Sequence, residues 1–242
     1  MLATAVAAVR SIVTYVVVSL YVLVCGGIGV AIAIPFRWKG LLYELGHAGV
    51  GLALATSGIR YRVRGREHVP AGRAVVFCAN HQSNVDPPIL YRALHRRLHI
   101  LYKAELRKIP VLGRAWEIGG FVAVPRAQRD AAMAAIQAAA ASIKRGNSFL
   151  IFPEGTRSRT DDLLPFKKGG FIMAIRAGAP IVPVAIAGGR ASMRKGSWII
   201  RPVRVEVRIG EPVETAGLSV DDRDTVIEIV RGRIEALLRG DG

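Results

Sequence analysis

The hydrophobic pattern of the chain begins with a long apolar run near the N-terminus. No charged residue occurs between Ser11 and Phe36, and a helix of this length can cross a bilayer core of about 30 Å. Several glycines lie in the middle of the run and Pro35 lies near its end, a combination that permits a break in the helix. The run therefore predicts a membrane-associating helical segment, either a single span or a hairpin that enters one leaflet.

A cleaved signal peptide is a competing interpretation of this run. The run exceeds the usual apolar region of about 7–15 residues, and no small-residue cleavage site with a polar flank follows it. Arg37 and Lys39 follow the run, whereas only Arg10 precedes it. The positive-inside rule therefore predicts that the large C-terminal part lies on the cytoplasmic side of the cell membrane.

Beyond the apolar run the pattern becomes mixed. Residues 41–57 predict a second apolar helix. From Ile59 onward, segments with strand character alternate with helical segments, of which residues 127–145 are the clearest helix. Such alternation predicts an α/β domain with a largely parallel central sheet flanked by helices. We expect a membrane-associating segment at residues 1–58 and a single α/β domain at residues 59–242.

Composition narrows the class of protein and its partners. Hydrophobic residues make up 51% of the chain, and the mean hydropathy of +0.32 is high for a soluble enzyme. The net charge of +16 favours an anionic partner, which is a membrane surface, a phosphorylated substrate or nucleic acid. The chain has only two cysteines, Cys25 and Cys78, and their spacing indicates neither a disulfide framework nor a metal site.

The first candidate reactive residues follow a short strand predicted at residues 74–80. His81 and Asp86 would lie roughly 140° apart on a regular helix, but a loop can fold back and bring the carboxylate to the imidazole. A carboxylate bound to one ring nitrogen fixes the tautomer and raises the basicity of the other nitrogen. That nitrogen can then act as a general base. An N-capping aspartate beside a solvated histidine is the structural alternative.

The second group is FPEGTRS at residues 152–158, which also follows a predicted strand. Arg157 can hold a phosphate through two hydrogen bonds, and Thr156 adds a hydroxyl donor. Gly155 allows a close approach of the backbone. Glu154 is expected to bind a substrate hydroxyl or to position the arginine. A polar turn with a Glu–Arg pair is the alternative.

Basic residues outside these groups leave further alternatives open. Lys167 and Lys168 follow the second group closely, and they either line the same pocket or form a solvated edge. The basic residues within 92–108 and within 190–195 either lie on anionic lipid headgroups or form solvated faces.

Taken together, these motifs resemble those of the lysophosphatidic acid acyltransferase family, the 1-acylglycerol-3-phosphate acyltransferases of glycerolipid synthesis. The resemblance covers roughly residues 59–215. NHQSNVD matches the family's Asn-His-x4-Asp motif, FPEGTRS matches its Phe-Pro-Glu-Gly-Thr-Arg-Ser motif, and VPVAI matches its fourth block. The second block, usually Gly-x-x-Phe-Ile-x-Arg, keeps Gly120 and Arg126 but has Ala123 and Val124 in place of Phe and Ile.

The resemblance implies the reaction and its catalytic residues. A fatty acyl group would move from acyl-CoA or acyl-acyl-carrier protein to the sn-2 hydroxyl of 1-acyl-sn-glycerol-3-phosphate, giving phosphatidic acid. His81 would be the general base and Asp86 would orient it. No cofactor, no metal and no covalent acyl-enzyme are expected. The expected partners are the two substrates, an anionic membrane surface and, for a carrier-protein donor, acyl carrier protein.

The resemblance also implies the substrate-binding residues. The segment from Tyr102 to Leu106 resembles the family's Lys-x-Glu-Leu segment. The acceptor phosphate would be held by lysine and arginine side chains, and Glu154 would seat the glycerol. The expected substrate-binding residues are Lys103, Arg126, Glu154, Gly155, Thr156 and Arg157.

Other functions fit the sequence less well. No Gly-x-Ser-x-Gly occurs, which disfavours a serine hydrolase, and a single His–Asp pair has too few ligands for a metal site. No nucleic-acid-binding motif is visible, so no nucleic-acid partner is expected. Two alternatives remain: an acyltransferase for another lysophospholipid or a glycolipid, and a non-catalytic membrane lipid-binding protein. The intact His81, Asp86 and FPEGTRS disfavour the second.

Overall fold

The computed structural model of the protein describes residues 2–94, 97–125 and 127–240. The α-helices of this part of the chain are α1 (Leu2–Tyr21), α2 (Gly27–Phe36), α3 (Lys39–Ser57), α4 (Asp86–Ala93), α5 (Leu112–Gly119), α6 (Arg129–Lys144), α7 (Gly169–Ala177) and α8 (Arg223–Arg239). The strands are β1 (Arg60–Arg64), β2 (Val76–Ala79), β3 (Leu98–Lys103), β4 (Val122–Val124), β5 (Ser148–Ile151), β6 (Ile181–Ala187) and β7 (Arg204–Ile209).

Within the described residues, seven strands form one sheet in the order β1-β7-β6-β2-β5-β3-β4. Neighbouring strands run parallel except β6 and β7, which are antiparallel. The central strands β2 and β5 are buried at every residue, because helices cover both faces of the sheet and continuous apolar runs suit such strands. The predicted α/β class with a largely parallel sheet is therefore confirmed.

The hydrophobic core lies on both faces of the sheet. On one face, Phe77 and Leu150 belong to a buried cluster with Leu90 of α4. On the other face, Phe149 clusters with Phe171 of α7 and with residues of α6 and α8. Burial of each such side chain stabilises the fold by about 1.5–3 kcal/mol, and this packing fixes the strand ends to which the candidate residues are attached.

The topology places the ends of five strands at one edge of the sheet. Strands β6, β2, β5, β3 and β4 are consecutive and mutually parallel, so their carboxyl ends meet at the same edge. Ligands of open α/β sheets bind at that edge. The chain reaches residues 80–86 after β2, Lys103 at the end of β3, and residues 152–158 after β5.

The N-terminal residues form a pair of antiparallel helical arms. A π-helical segment, Val22–Gly26, joins α1 to α2 without a break, and the chain turns at Arg37, which has a left-handed φ of 50°. Helix α3 then packs back against α1 and α2. The Tyr15 hydroxyl donates to the carbonyl oxygen of Trp198 at 2.7 Å, so the first arm is attached to the α/β region as well as to α3.

The hairpin that the sequence allows inside the apolar run is not observed, because the helix continues through its glycines. Glycines of both arms instead allow the helices to pack closely against each other. A Cβ atom at Gly29 would lie 2.4 Å from Cδ1 of Leu45, and one at Gly49 would lie 2.7 Å from Cε1 of Tyr21. Small residues therefore allow the two arms to approach closely, and the turn falls between α2 and α3.

The helix of residues 2–36 is the one helix in the described chain whose length and apolar composition would allow it to cross a membrane. Its outward side chains are large, apolar and exposed. They include Val9, Ile12, Val13, Val16, Leu20, Leu23, Val24, Ile28, Ile34 and Phe36. The division at residue 58 stays a prediction, although α3 ends at Ser57 and β1 begins at Arg60.

Candidate active site

The loop after β2 is fixed to the neighbouring strand β6 by Asn80. The fully buried Asn80 side chain donates from Nδ2 to the carbonyl oxygen of Ile186 at 3.1 Å. Its Oδ1 accepts from the backbone N–H of Ile186 at 2.7 Å. This amide therefore pairs with both backbone groups of one residue, as buried polar groups must, and it sets where the loop starts.

His81 and Asp86 are in contact. Nδ1 of His81 lies 3.0 Å from Oδ2 of Asp86, and the Asp86 side chain is fully buried at the first residue of α4. The same Oδ2 accepts from the backbone N–H groups of Gln82 at 2.7 Å and Ser83 at 2.6 Å. Three donors thus hold one carboxylate oxygen, which leaves the carboxylate a single orientation toward the imidazole.

The second oxygen of Asp86 faces Gly189, in the loop after β6. Oδ1 has no hydrogen-bond partner among the described residues, and a Cβ atom at Gly189 would lie 2.8 Å from it. Any larger residue at position 189 would displace the carboxylate. The loop after β6 therefore helps to position Asp86.

The imidazole of His81 is oriented for contact with a ligand. Its side chain is 16% exposed, and its ring lies against that of Phe152 with centroids 4.3 Å apart. A carboxylate can only accept hydrogen bonds, so Nδ1 carries the proton in this contact. Nε2 then remains as the basic nitrogen, and His81 belongs to the wall of a large cavity.

Glu154 joins the two candidate loops. Its Oε1 accepts from the backbone N–H of His81 at 2.7 Å, and its Oε2 accepts from the N–H of Leu164 at 3.0 Å. Ser158 adds a third link by donating its N–H to the carbonyl oxygen of His81 at 2.8 Å. Desolvation by burial raises the pKa of Glu154 above its ordinary value, and the two backbone donors oppose that rise. Glu154 thus links the loop after β2 to the segment after β5, and its role in seating the glycerol stays a prediction.

Other predicted binding residues line the cavity. Gly155, Thr156, Arg157 and Lys103 all contribute to its wall. Nη1 of Arg157 is buried and has no hydrogen-bond partner in the described chain, which leaves a cationic donor available to a ligand. Lys103 forms an exposed ion pair with Glu105 at 3.2 Å. Arg126 lies outside the part of the chain that the structure describes.

The structure adds two lysines near this end of the cavity. Lys167, one of the two lysines left open by the sequence, lines the cavity. Lys195, which the sequence places on a surface patch, donates from Nζ to the Thr156 hydroxyl and to the carbonyl oxygen of Arg157, both at 3.1 Å. Proximity in sequence could have indicated Lys167. No sequence pattern links Lys195 to the loop, because the contact depends on the return of the chain after β6.

The cavity has a volume of about 1320 Å³ and two different ends. The end at His81 includes the cationic side chains of Arg157 and Lys167, whose backbone segments are hydrogen-bonded to the loop of His81 or to each other. The other end extends between the N-terminal arms, α5 and the sheet. It is lined mainly by apolar residues, among them Val18, Tyr21, Val22, Leu42, Leu45, Val50, Ala53, Leu112, Ala115 and Trp116. One cavity thus offers an acid–base group, an anion site and an apolar wall.

A metal site is not found among the residues that the structure describes: no three His, Cys, Asp or Glu side chains gather to hold an ion.

Comparisons with known proteins agree with this geometry. The chain matches the model of the acyltransferase family over residues 60–187, which includes the loops after β2 and β5. A 1-acyl-sn-glycerol-3-phosphate acyltransferase of Limnanthes douglasii is 32% identical over 192 residues, which are 79% of this chain and 67% of the plant protein. The alpha form from Mus musculus is 32% identical over 184 residues, 75% of this chain and 65% of the mouse protein.

A solved structure is similar over nearly the whole chain. The 1-acyl-sn-glycerophosphate (LPA) acyltransferase PlsC from Thermotoga maritima superposes with a TM-score of 0.80 at 29% identity, and the match covers 95% of each chain. The match therefore includes both the N-terminal arms and the α/β region. On the family match, the sequence relatives and this shared architecture, the chain belongs to the acyltransferase family.

Proposed function

We propose that the protein is a 1-acyl-sn-glycerol-3-phosphate O-acyltransferase, which transfers a fatty acyl group from a thioester to the sn-2 hydroxyl and forms phosphatidic acid. One observation carries the proposal: the His81–Asp86 pair, with Nδ1 and Oδ2 at 3.0 Å, opens on a cavity that has cations at the same end and an apolar wall at the other. The plant and mouse relatives are 1-acyl-sn-glycerol-3-phosphate acyltransferases and the Thermotoga maritima protein is a 1-acyl-sn-glycerophosphate (LPA) acyltransferase, which supports this acceptor.

In the proposed mechanism, the acceptor itself is the nucleophile. Nε2 of His81 takes the proton of the hydroxyl as its oxygen attacks the thioester carbonyl carbon. Asp86 holds the ring and stabilises the imidazolium that forms. Collapse of the tetrahedral intermediate breaks the C–S bond, and the imidazolium returns the proton to the leaving thiolate. An ester and a free thiol result, and no group on the protein is acylated.

The acceptor phosphate is assigned to the cationic end of the cavity. Arg157 is the central group, because its unpaired Nη1 can donate to a phosphate oxygen at the strength of a charge-assisted hydrogen bond. Lys103, Thr156 and the backbone of Gly155 line the same wall. Arg126 is assigned to this site from its position in the second family block alone.

The acyl donor is either acyl-CoA or acyl-acyl-carrier protein. The proposed chemistry needs only a thioester carbonyl at His81, and both donors supply one. The acyl chain is assigned to the apolar end of the cavity, where burial contributes about 0.8 kcal/mol per methylene. No cofactor enters the proposed reaction.

The N-terminal segment, residues 1–58, is proposed to hold the enzyme at the cytoplasmic side of the cell membrane. Exposed apolar side chains along residues 2–36 favour contact with lipid. The net charge of +16 favours an anionic headgroup surface. The α/β domain of residues 59–242 would then take its lipid substrate directly from the leaflet that α1 and α2 contact.

The test of the proposed function is a substrate panel with the purified, detergent-solubilised full chain. Acyl-CoA and acyl-acyl-carrier protein are each combined with lysophosphatidic acid, lysophosphatidylcholine and a monoacylated glycolipid, and products are identified by mass spectrometry. We expect phosphatidic acid as the main product, with release of one thiol per ester formed. Efficient acylation of the other acceptors with none of lysophosphatidic acid would overturn the acceptor assignment. Thiol release with no acceptor product would overturn the transferase.

A further inference from the structure

Two adjacent lysines of the chain have different surroundings. The side chain of Lys167 lines the cavity at the end that contains His81, whereas that of Lys168 does not. Lys168 instead forms an ion pair with Asp224 in the first turn of α8, with Nζ 3.0 Å from Oδ1. Both lysines are exposed, so exposure does not distinguish them. The difference is that one ammonium faces the cavity and the other is paired at the outer surface.

Lys167 is held against the loop of residues 152–158. Its backbone N–H donates to the carbonyl oxygen of Pro153 at 2.8 Å. Its side chain crosses Gly155 so closely that a Cβ atom there would lie 2.8 Å from Cε and 2.9 Å from Nζ. Gly155 also has a left-handed φ of 68°. The backbone conformation at position 155 therefore favours glycine, and a larger residue there would displace the side chain of Lys167.

The segment that carries Lys167 is attached to both α8 and the loops of the site. The guanidinium of Arg231 donates to the carbonyl oxygens of Leu163 at 3.0 Å and Leu164 at 2.9 Å, and it lies 5.4 Å from the ring centroid of Phe166. Leu164 in turn donates to Glu154, which binds the backbone of His81. A continuous set of contacts thus fixes the Lys167 backbone relative to the imidazole.

We propose that the ammonium of Lys167 binds the phosphate of the acceptor together with Arg157. This inference rests on the proposed function and names a residue that determines acceptor specificity at the same site. Both cations line the same cavity, and Nη1 of Arg157 has no partner among the described residues. A phosphate monoester carries nearly two negative charges and three acceptor oxygens, so it can satisfy both donors.

The position of Lys167 favours the acceptor phosphate over the phosphate of the donor. In the acceptor, the carbon that carries the phosphate is bonded to the carbon that carries the reacting hydroxyl. In CoA or a carrier protein, the whole pantetheine arm separates the nearest phosphate from the thioester. Lys167 touches the loop that Glu154 ties to the backbone of His81. Because Lys167 and His81 also line the same cavity, the acceptor, whose phosphate is one carbon from the reacting carbon, suits this site better than the donor does.

The experiment compares Lys167→Met with Lys168→Met in the full chain. Each variant removes one positive charge and keeps most of the aliphatic stem, and only the first changes the cavity. For Lys167→Met we expect the KM for lysophosphatidic acid to rise about 10- to 100-fold, because one hydrogen bond to a charged group is lost. The KM for the thioester should not change. Lys168→Met should leave both constants within about 2-fold, because it removes an exposed ion pair. Lys167→Arg should restore part of the lost acceptor affinity.

The possible results test the role of Lys167 and the proposed function separately. If the wild-type chain forms phosphatidic acid and Lys167→Met leaves the acceptor KM unchanged, the inference fails and the proposed function stands. The inference also fails if the KM for the thioester rises instead. If the wild-type chain does not acylate lysophosphatidic acid, the proposed function itself fails. Matching thermal unfolding of both variants and the wild type separates loss of binding from loss of fold.

Discussion

The two ends of the cavity differ in how their side chains are held. At the polar end, the carboxylates of Asp86 and Glu154 accept from backbone N–H groups of neighbouring loops, and both side chains are buried. At the apolar end, the wall consists of helices that approach each other across glycines such as Gly49. The first end is held by backbone hydrogen bonds to buried carboxylates, whereas the second is formed mainly by apolar packing between helices, with the hydroxyls of Tyr21 and Tyr43 bonded to backbone carbonyl oxygens.

This contrast indicates that the two ends of the cavity serve different parts of the proposed reaction. Fixed polar geometry suits the proton transfer and the binding of a small charged group, because both depend on distances and angles. A mainly apolar wall suits an acyl chain, for which affinity follows buried area. Changes at the polar end should therefore act on turnover or on acceptor affinity. Changes at the apolar end should act on chain-length preference.

The largest of the expected effects concerns Asp86→Asn at the polar end. Asparagine can keep the backbone contacts of Gln82 and Ser83 through its carbonyl oxygen, but it presents an amide N–H₂ or a weaker acceptor to Nδ1 of His81. The ring then loses its fixed tautomer. We expect kcat to fall by about 10²- to 10⁴-fold, as kcat also falls when the aspartate of a serine protease triad is replaced by asparagine. Steady-state kinetics with thiol detection measure this fall.

The control for that experiment is the acceptor KM, which should stay within about 3-fold because the anion site is intact. A kcat within a factor of two of the wild type would show that the carboxylate does not orient the base.

A smaller effect is expected at the apolar end from Ala53→Phe. Ala53 lines the cavity on α3, whereas Ala55 on the same helix is exposed and lies outside the lining. A phenyl group at position 53 would shorten the space for an acyl chain. We expect a shift toward shorter donors by about fourfold for each methylene that no longer fits. Competition among thioesters of different chain length measures the shift.

Ala55→Phe is the matched control, with the same added volume at an exposed position of the same helix. The assignment of the acyl chain to this end fails if both variants keep the wild-type chain-length profile.

The sheet was predictable because strand and helix periodicities differ along the chain. The sequence also indicated the contact between His81 and Asp86, since their spacing excludes a shared helix face and a loop at a strand end allows the approach. In the structure the two side chains are 3.0 Å apart. The catalytic role of the pair stays a prediction.

Features that depend on distant parts of the chain were not predictable. Nothing in the sequence distinguishes Lys167 from Lys168, because their separation depends on how α8 places Asp224 beside one of them. The role of Glu154 as a link between loops needs the position of Leu164. The sequence left open whether the helix breaks at the glycines of the apolar run. The helix continues through them, and the close contact of Gly29 with α3 appears only once the arms pack.

A further effect, on stability and not on the reaction, is expected at His99 on β3. This side chain is 6% exposed, and burial, assisted by the charge of Lys39, lowers the pKa of His99 to about 4. Unfolding would restore a value near 6.5, so the unfolded chain binds more protons between these values and stability falls as pH decreases through that window. From pH 7 to pH 5 the loss attributable to His99 is about 2 kcal/mol.

We therefore expect the melting temperature of His99→Leu to decrease less than that of the wild type over this pH range. Thermal unfolding in detergent at both pH values measures the difference. Parallel decreases in the two proteins would show that His99 titrates alike in the folded and unfolded states.

The most direct test of the central claim is the turnover rate of His81→Ala with lysophosphatidic acid and an acyl thioester, measured by thiol release in the full chain. We expect a fall of about 10²- to 10⁴-fold, with unchanged thermal unfolding and unchanged association with vesicles. A His81→Ala enzyme that turns over at a rate near that of the wild type would contradict the role of His81 as general base.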